Sequence, residues 1–283
     1  WAPATGAPLL DLDATERRWS QEARPNPRAV LGSSAAGPVT VDLTVDGPHA
    51  LIAGTTGAGK SELLQTLITS LAAVNRPDAL NFVLIDYKGG AAFGACAQLP
   101  HVTGLVTDLD AHLTRRALQS LEAELTRRER AFATLGVADL EAYRNALVAA
   151  GGRGAETLTR LVLVVDEFAA LADELPDFVT GLVGIAQRGR SLGVHLVLAT
   201  QRPAGVVSAQ IRANTATRIA LRVTDPAESS DVIGADVAAR LSARTPGRAY
   251  LARDGKLVYH RAAGLADREA SQPMTEEAVF RFS

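Results

Sequence analysis

Short apolar runs separated by polar turns divide this chain of 283 residues. Leu161-Val162-Leu163-Val164-Val165 is a continuous aliphatic and β-branched run, the pattern of a strand buried on both faces. His49 to Ala53, Asn81 to Asp86 and His195 to Ala199 read as further strands, and Val39, Val41, Leu43 and Val45 alternate in strand fashion. Glu62 to Ile68 carries apolar residues at helical spacing. A longer stripe, Leu113, Ala117, Leu118, Leu121 and Leu125, predicts a second helix, with Arg115, Arg116, Glu122, Glu124, Arg127 and Arg128 largely off the stripe. Arg248 to Ala252 and Lys256 to His260 predict a hairpin turning at Asp254-Gly255.

Residues 1–38 hold Pro3, Pro8, Pro25, Pro27 and Pro38 and a Gly-Ser-Ser-Ala-Ala-Gly run, which predicts a linker with a short helix around 13–22. The core is expected from Val39, the domain over 39–265 and a tail over 266–283. Ala150 to Ala155, rich in glycine, reads as a loop without chemistry. A hydrophobic content of 47% over this length suits one substantial core. No stretch of about 18 uncharged apolar residues and no signal peptide is present, so the chain is not expected to span a membrane. Cys96, the single cysteine, excludes an intrachain disulfide and reads as a small buried hydrophobe. Histidines at 49, 101, 112, 195 and 260 lack metal-ligand spacing, and no zinc site is expected.

Chemistry enters at Gly54-Thr55-Thr56-Gly57-Ala58-Gly59-Lys60-Ser61, a complete phosphate-binding loop set between a predicted strand and a predicted helix. Gly54, Gly57 and Gly59 permit backbone conformations closed to residues with a Cβ, so that successive N–H groups turn toward a phosphate on the positive end of the helix. Lys60 supplies a point charge for the β- and γ-phosphates, and the Ser61 hydroxyl is a hard ligand suited to Mg²⁺. ATP and Mg²⁺ are therefore the expected ligands. The 161–165 run ends in Asp166-Glu167, and ligands in open α/β sheets bind outside such strand ends. Asp166 is expected in the metal shell and Glu167 as the group that polarises water, although acids are also common where a helix starts after a strand. Gln201, after the 195–199 strand, suits contact with a γ-phosphate or the water because an amide donates and accepts; a polar turn closed by Pro203 accounts for it equally well.

The segment Gly189-Arg190-Ser191-Leu192-Gly193-Val194-His195, followed by Leu198-Ala199-Thr200-Gln201-Arg202-Pro203 and by Ile211 to Ala220, resembles the signature of the FtsK/SpoIIIE family of hexameric P-loop motors. Asp86-Tyr87-Lys88-Gly89-Gly90-Ala91-Ala92-Phe93 and Gly59-Lys60-Ser61-Glu62 resemble the EccC/EssC branch, the ATPases of type VII secretion, more than the DNA-pumping branch. The likeness runs from about Val39 to Arg261. It implies a RecA-like α/β fold, a central mostly parallel sheet flanked by helices, and a ring in which an arginine of one subunit meets the γ-phosphate of its neighbour. By that resemblance Arg116 takes the role, with Arg188 and Arg190 as rivals. Members of this branch carry membrane segments before several tandem motor domains, so a chain opening at Trp1 looks like an excised or processed module. It is expected in the cytoplasm, as the cytosolic part of a membrane-anchored bacterial protein, touching the membrane only through segments outside this chain.

Three functional classes follow. In a secretion motor the partners are other ATPase domains or subunits and an exported protein. In a duplex DNA translocase the partner is DNA, and Arg202, Arg212, Arg218 and Arg222 are candidates to gather in a pore. A nucleotide-binding scaffold with little turnover is disfavoured by the presence together of Lys60, Ser61, Asp166 and Glu167. A net charge of −2 weighs mildly against a phosphate backbone as partner, and the resemblance of the Asp86 to Phe93 string to the secretion branch is what mainly puts secretion ahead.

Overall fold

Residues that must be dry on both sides organise the middle of the molecule. The computed structural model describes residues 12–21, 27–34, 37–87, 92–107, 111–151, 157–205, 209–258, 265–267, 272–273 and 280–281. Its helices are α1 (Leu12–Gln21), α2 (Lys60–Val74), α3 (Ala111–Leu135), α4 (Leu140–Ala149), α5 (Phe168–Glu174), α6 (Pro176–Leu192), α7 (Ala209–Asn214) and α8 (Pro226–Ile233). Its strands are β1 (Arg28–Ser34), β2 (Gly37–Asp42), β3 (His49–Ala53), β4 (Leu80–Asp86), β5 (Val102–Thr107), β6 (Arg160–Asp166), β7 (Val194–Thr200), β8 (Thr217–Leu221), β9 (Arg248–Arg253), β10 (Lys256–Leu257), β11 (Leu265–Asp267), β12 (Gln272–Pro273) and β13 (Phe280–Arg281).

The main sheet runs in the order β2-β1-β13-β9-β8-β3-β7-β6-β4-β5, with β10 paired to β9 off that path. From β8 to β5 every neighbouring pair is parallel. From β8 outward to β2 every pair is antiparallel. All residues of β3, β6 and β7 are buried, so helices cover both faces, as their aliphatic composition requires. The architecture is the expected α/β one, a mostly parallel central sheet flanked by helices.

The sheet takes in residues on both sides of the expected 39–265 domain. Arg28–Ser34, read as linker, pairs with β2 and β13, and Phe280–Arg281 of the expected tail lies between β1 and β9. Of the glycines and prolines that suggested a linker, Gly37 and Pro38 open the second strand of this hairpin and Gly32 lies within the first, while Pro3, Pro8 and Pro25 lie outside the described residues. The helix expected around 13–22 is α1, and it is docked: Trp19 donates from Nε1 to Ala72 O at 3.2 Å and meets the His101 ring edge-on at 5.5 Å. The β9–β10 hairpin turns at Asp254-Gly255 as expected; Tyr259 and His260 lie outside the described residues, as do 152–155 of the glycine-rich loop. Among the described residues no helix is long and apolar enough to cross a membrane.

Strand order, more than any single strand, positions the chemistry. β7 lies between β3, which feeds the phosphate loop, and β6, which ends at Asp166. Because these strands are parallel, Ala53, Thr200 and Asp166 all end at one edge, the carboxyl edge, with Ala53 opposite Thr200 and Asp86 opposite Asp166. Gly193, at φ 72°, turns the chain from α6 into β7; a Cβ there would meet Leu140 Cδ2 at 2.3 Å.

Candidate nucleotide site at the carboxyl edge

The loop leaves β3 in close contact with its neighbours. Gly54 N donates to Thr200 O at 3.1 Å, and a Cβ on Gly54 would meet Leu221 Cβ at 2.9 Å, so only glycine fits between β7 and β8. Thr55 donates from both N and Oγ1 to Arg222 O, at 2.9 and 3.1 Å. At the far end Gly59, at φ 100°, caps α2, whose first residue is Lys60. The loop is thus fixed to β7 and β8 through its first residues and closed by a left-handed glycine at its last turn, an arrangement that aims backbone N–H groups at an anion.

Lys60 and Asp166 are both buried, and Lys60 Nζ donates to Asp166 Oδ1. Glu167 is buried beside them in the left-handed region at φ 56°, a conformation unusual for a residue with a Cβ and held here by the α5 turn, where Ala170 N donates to Glu167 O at 3.1 Å. Gln201 is brought to the loop: Thr56 Oγ1 donates to Gln201 Oε1 at 2.9 Å. Thr200, the other polar residue at this strand end, spends its hydroxyl on its own turn, accepting from Arg202 N at 3.1 Å. The Ser61 hydroxyl is half-buried and has no protein partner among the described residues. Ser61 and Asp166 are hard oxygen donors beside a phosphate loop, a donor set that fits Mg²⁺.

Sequence reasoning gave two residues here too little weight. Asp86, quoted only within a family-like string, is buried opposite Asp166 and accepts from Ala92 N at 3.4 Å; Lys88 to Ala91 of that string lie outside the described residues. Tyr87 donates its hydroxyl to Glu174 Oε2, and that hydrogen bond pushes the phenol up to about 12. Position at a strand end, beside the Asp166-Glu167 pair, is the signal that pointed to both.

Not every candidate arginine is near the loop. Arg116, in the second turn of α3, is exposed and has no ion-pair partner among the described residues. Arg188 pairs with Glu122 at 2.5 Å and Glu129 at 3.7 Å, and Arg190 lines a cavity of about 470 Å³ with Arg160, His195 and Leu140. Both sit near the end of α6, Arg190 in its last turn, just before β7 begins, and so toward the opposite, amino edge of the sheet. The four candidate pore arginines do not share one setting, although Arg212 and Arg218 are neighbours. Arg218 donates to the carbonyls of Arg212 and Thr215 at 2.7 and 2.9 Å, and Arg212 pairs with Asp231 at 3.3 Å. Arg202 is exposed after β7, while Arg222 lies against the phosphate loop.

Comparison with known proteins adds an independent line. The model of the FtsK/SpoIIIE family matches residues 10–205. The type VII secretion system protein EssC of Staphylococcus aureus is 43% identical over 213 residues, 75% of this chain and 14% of its own length. The structure of the cytoplasmic domain of the Thermomonospora curvata type VII secretion ATPase EccC matches with a TM-score of 0.80 and 33% identity, covering 95% of this chain and 30% of that one. A second structure, ATPases 2 and 3 of the same EccC in complex with a signal sequence peptide, matches with a TM-score of 0.72 and 31% identity over 88% of this chain and 45% of that one. The chain therefore spans about one seventh of the curated relative.

Proposed function

The chain belongs to the FtsK/SpoIIIE family, and from that premise we propose that it is an ATP-binding and ATP-hydrolysing module of a motor that drives protein export in a type VII secretion system. The observation that carries this reading is the meeting of Lys60, Asp166, Glu167 and Gln201 around the 54–61 loop at one sheet edge.

In this reading the phosphates of ATP lie on the loop N–H groups, and Lys60 turns from Asp166 toward the β- and γ-phosphate oxygens. Ser61 and Asp166 hold Mg²⁺, which when bound neutralises charge on those oxygens. Glu167 takes the proton of the attacking water as the bond from the γ-phosphorus to its bridging oxygen breaks and ADP leaves with the electron pair. Gln201 hydrogen-bonds the γ-phosphate and passes its presence to Thr56. An arginine from an adjacent module completes the site, and Arg116, exposed and without an acid partner among the described residues, is our assignment for the arginine this chain offers its neighbour. The module works in the cytoplasm, in a ring or tandem array within a longer membrane-anchored protein, and its cargo is a protein carrying an export signal.

The test is Mg²⁺-dependent ATP hydrolysis over a range of protein concentrations, with and without duplex DNA at low salt. Low turnover that rises with concentration and ignores DNA is expected. Strong stimulation by DNA that fades as salt rises would replace secretion with DNA translocation. Lys60→Ala is expected to abolish tight ATP binding.

A further inference from the structure

A second cation stands beside the loop. Arg222 follows β8, the parallel neighbour of β3 on the side away from β7, so its backbone reaches the carboxyl edge next to Gly54 and Thr55. Its carbonyl accepts both Thr55 donors, which fixes the residue against the loop, and its Nη2 donates to Thr56 O at 3.4 Å. Thr56 is the same residue whose hydroxyl donates to Gln201. Side chains from the ends of β7 and β8 thus converge on one loop residue from two sides.

The surroundings of this guanidinium differ from those of other arginines in the chain. Arg160 is paired with Glu141, Arg188 with Glu122, Arg212 with Asp231 and Arg253 with Asp46. Arg222 has no carboxylate partner among the described residues, and it makes one long bond to a neutral carbonyl. A guanidinium carries five N–H donors in a fork that matches phosphate oxygens, so most of its donors remain open at the mouth of an anion-binding loop. Lys60, by contrast, is already neutralised by Asp166.

We infer that Arg222 is a nucleotide-contacting residue, a cation of the same chain that binds the terminal phosphate of a nucleoside triphosphate and makes the site prefer triphosphate over diphosphate. The inference rests on the nucleotide reading above. Thr56, held on one side by Gln201 and on the other by Arg222, is the loop residue through which both side chains sense the same phosphate. Arg222 lies beyond the residues that the family model matches, 10–205.

The experiment measures the affinities of a slowly hydrolysed ATP analogue and of ADP, by competition with a fluorescent nucleotide, for the unaltered chain and for Arg222→Gln. Loss of a charge-assisted contact made only to the terminal phosphate is expected to weaken the triphosphate about ten- to a hundredfold and ADP less than about threefold. Near-normal ADP binding in the variant also shows that its loop is folded. Equal weakening of both nucleotides would mean that the guanidinium only shapes the loop, and unchanged affinities for both would mean that it touches no phosphate; either result overturns the inference. If the unaltered chain bound neither nucleotide, the proposed ATPase reading would fall first.

Discussion

The two edges of the parallel sheet hold the same kinds of residue and treat them differently. At the amino edge His49 donates from Nε2 to Ala186 O at 2.8 Å and accepts from Leu196 N on Nδ1 at 2.9 Å. His195 donates from Nδ1 to Pro48 O at 2.9 Å and accepts from Arg160 Nη1 at 3.0 Å, while Arg160 Nη2 reaches Glu141 at 2.7 Å. Each of these side chains is tied to a protein partner. At the carboxyl edge Ser61 and Arg222 keep donors open, and Glu167 is held in an unfavourable backbone region. Buried charge alone therefore does not mark the site. Nor does concavity, because the 470 Å³ cavity opens at the amino edge, where polar groups serve each other. What separates the edges is polar capacity left open beside the phosphate loop: the donor left over at the amino edge, Arg160 Nε, is buried, whereas Ser61 and Arg222 keep donors open at the carboxyl edge.

Changing one acid at each edge gives the largest expected contrast. Glu167→Gln is expected to lower single-turnover ATP hydrolysis by about 10²–10⁴-fold while leaving nucleotide affinity near normal, because the amide cannot take a proton from water. Glu141→Gln, the corresponding change at the amino edge, is expected to leave turnover within about twofold. Ordinary turnover in Glu167→Gln would remove this residue as the base.

How much of this contrast the sequence carried depends on whether the signal was local. The loop from Gly54 to Ser61, the strand ending in Asp166-Glu167 and the helix beginning at Lys60 are contiguous patterns and were legible. Strand order was not: that β7 separates β3 from β6, bringing Gln201 to Thr56, is a fact of tertiary pairing. The same holds for β1 and β13, whose short segments become strands only because a partner edge is available. Arg188 and Arg222 show the limit most plainly. Sequence proximity to the 195–201 strand suggested Arg188 as the arginine offered to a neighbour, and it lies at the amino edge of its own sheet paired with Glu122, whereas Arg222, read from the sequence only as a pore candidate, lies against the loop.

Acid should attack the amino edge. Burial holds His49 down to about 4, and burial together with the neighbouring Arg160 charge holds His195 down to about 3, against an ordinary value near 6.5. Below pH 6.5 the unfolded chain binds protons that the folded chain refuses, so stability is full above that pH and falls as pH drops toward about 4. His49 alone contributes a loss of about 3 kcal/mol once the pH reaches its folded value. Urea midpoints measured from pH 7 to pH 4.5 should decline, with a shallower slope in His49→Asn. A flat profile would show that these rings are not buried in the neutral form.

Arg160→Leu should cost less. Its partner Glu141 is half exposed and returns to water, so the main penalty is the acceptor on His195 left buried without a donor. That corresponds to about 2 kcal/mol, read as a lower urea midpoint with unchanged nucleotide affinity. A change in affinity larger than the change in stability would couple the two edges and weaken the contrast between them.

The smallest effect is expected at an ion pair that is closer than the Arg160–Glu141 pair. Arg188 meets Glu122 at 2.5 Å, closer than Arg160 meets Glu141 at 2.7 Å, yet both side chains of the first pair are more than two-fifths exposed, whereas Arg160 is 4% exposed. Water solvates the separated charges of Arg188 and Glu122 nearly as well as they solvate each other, and holding two long side chains together costs rotamer entropy. Glu122→Gln should therefore change stability by less than about 1 kcal/mol, and 0.5 M salt, an ionic strength at which exposed charges are largely screened, should erase the difference. A loss of several kcal/mol that survived salt would mean that α3 and α6 depend on this pair, and that burial is not what sets the strength of ion pairs in this fold.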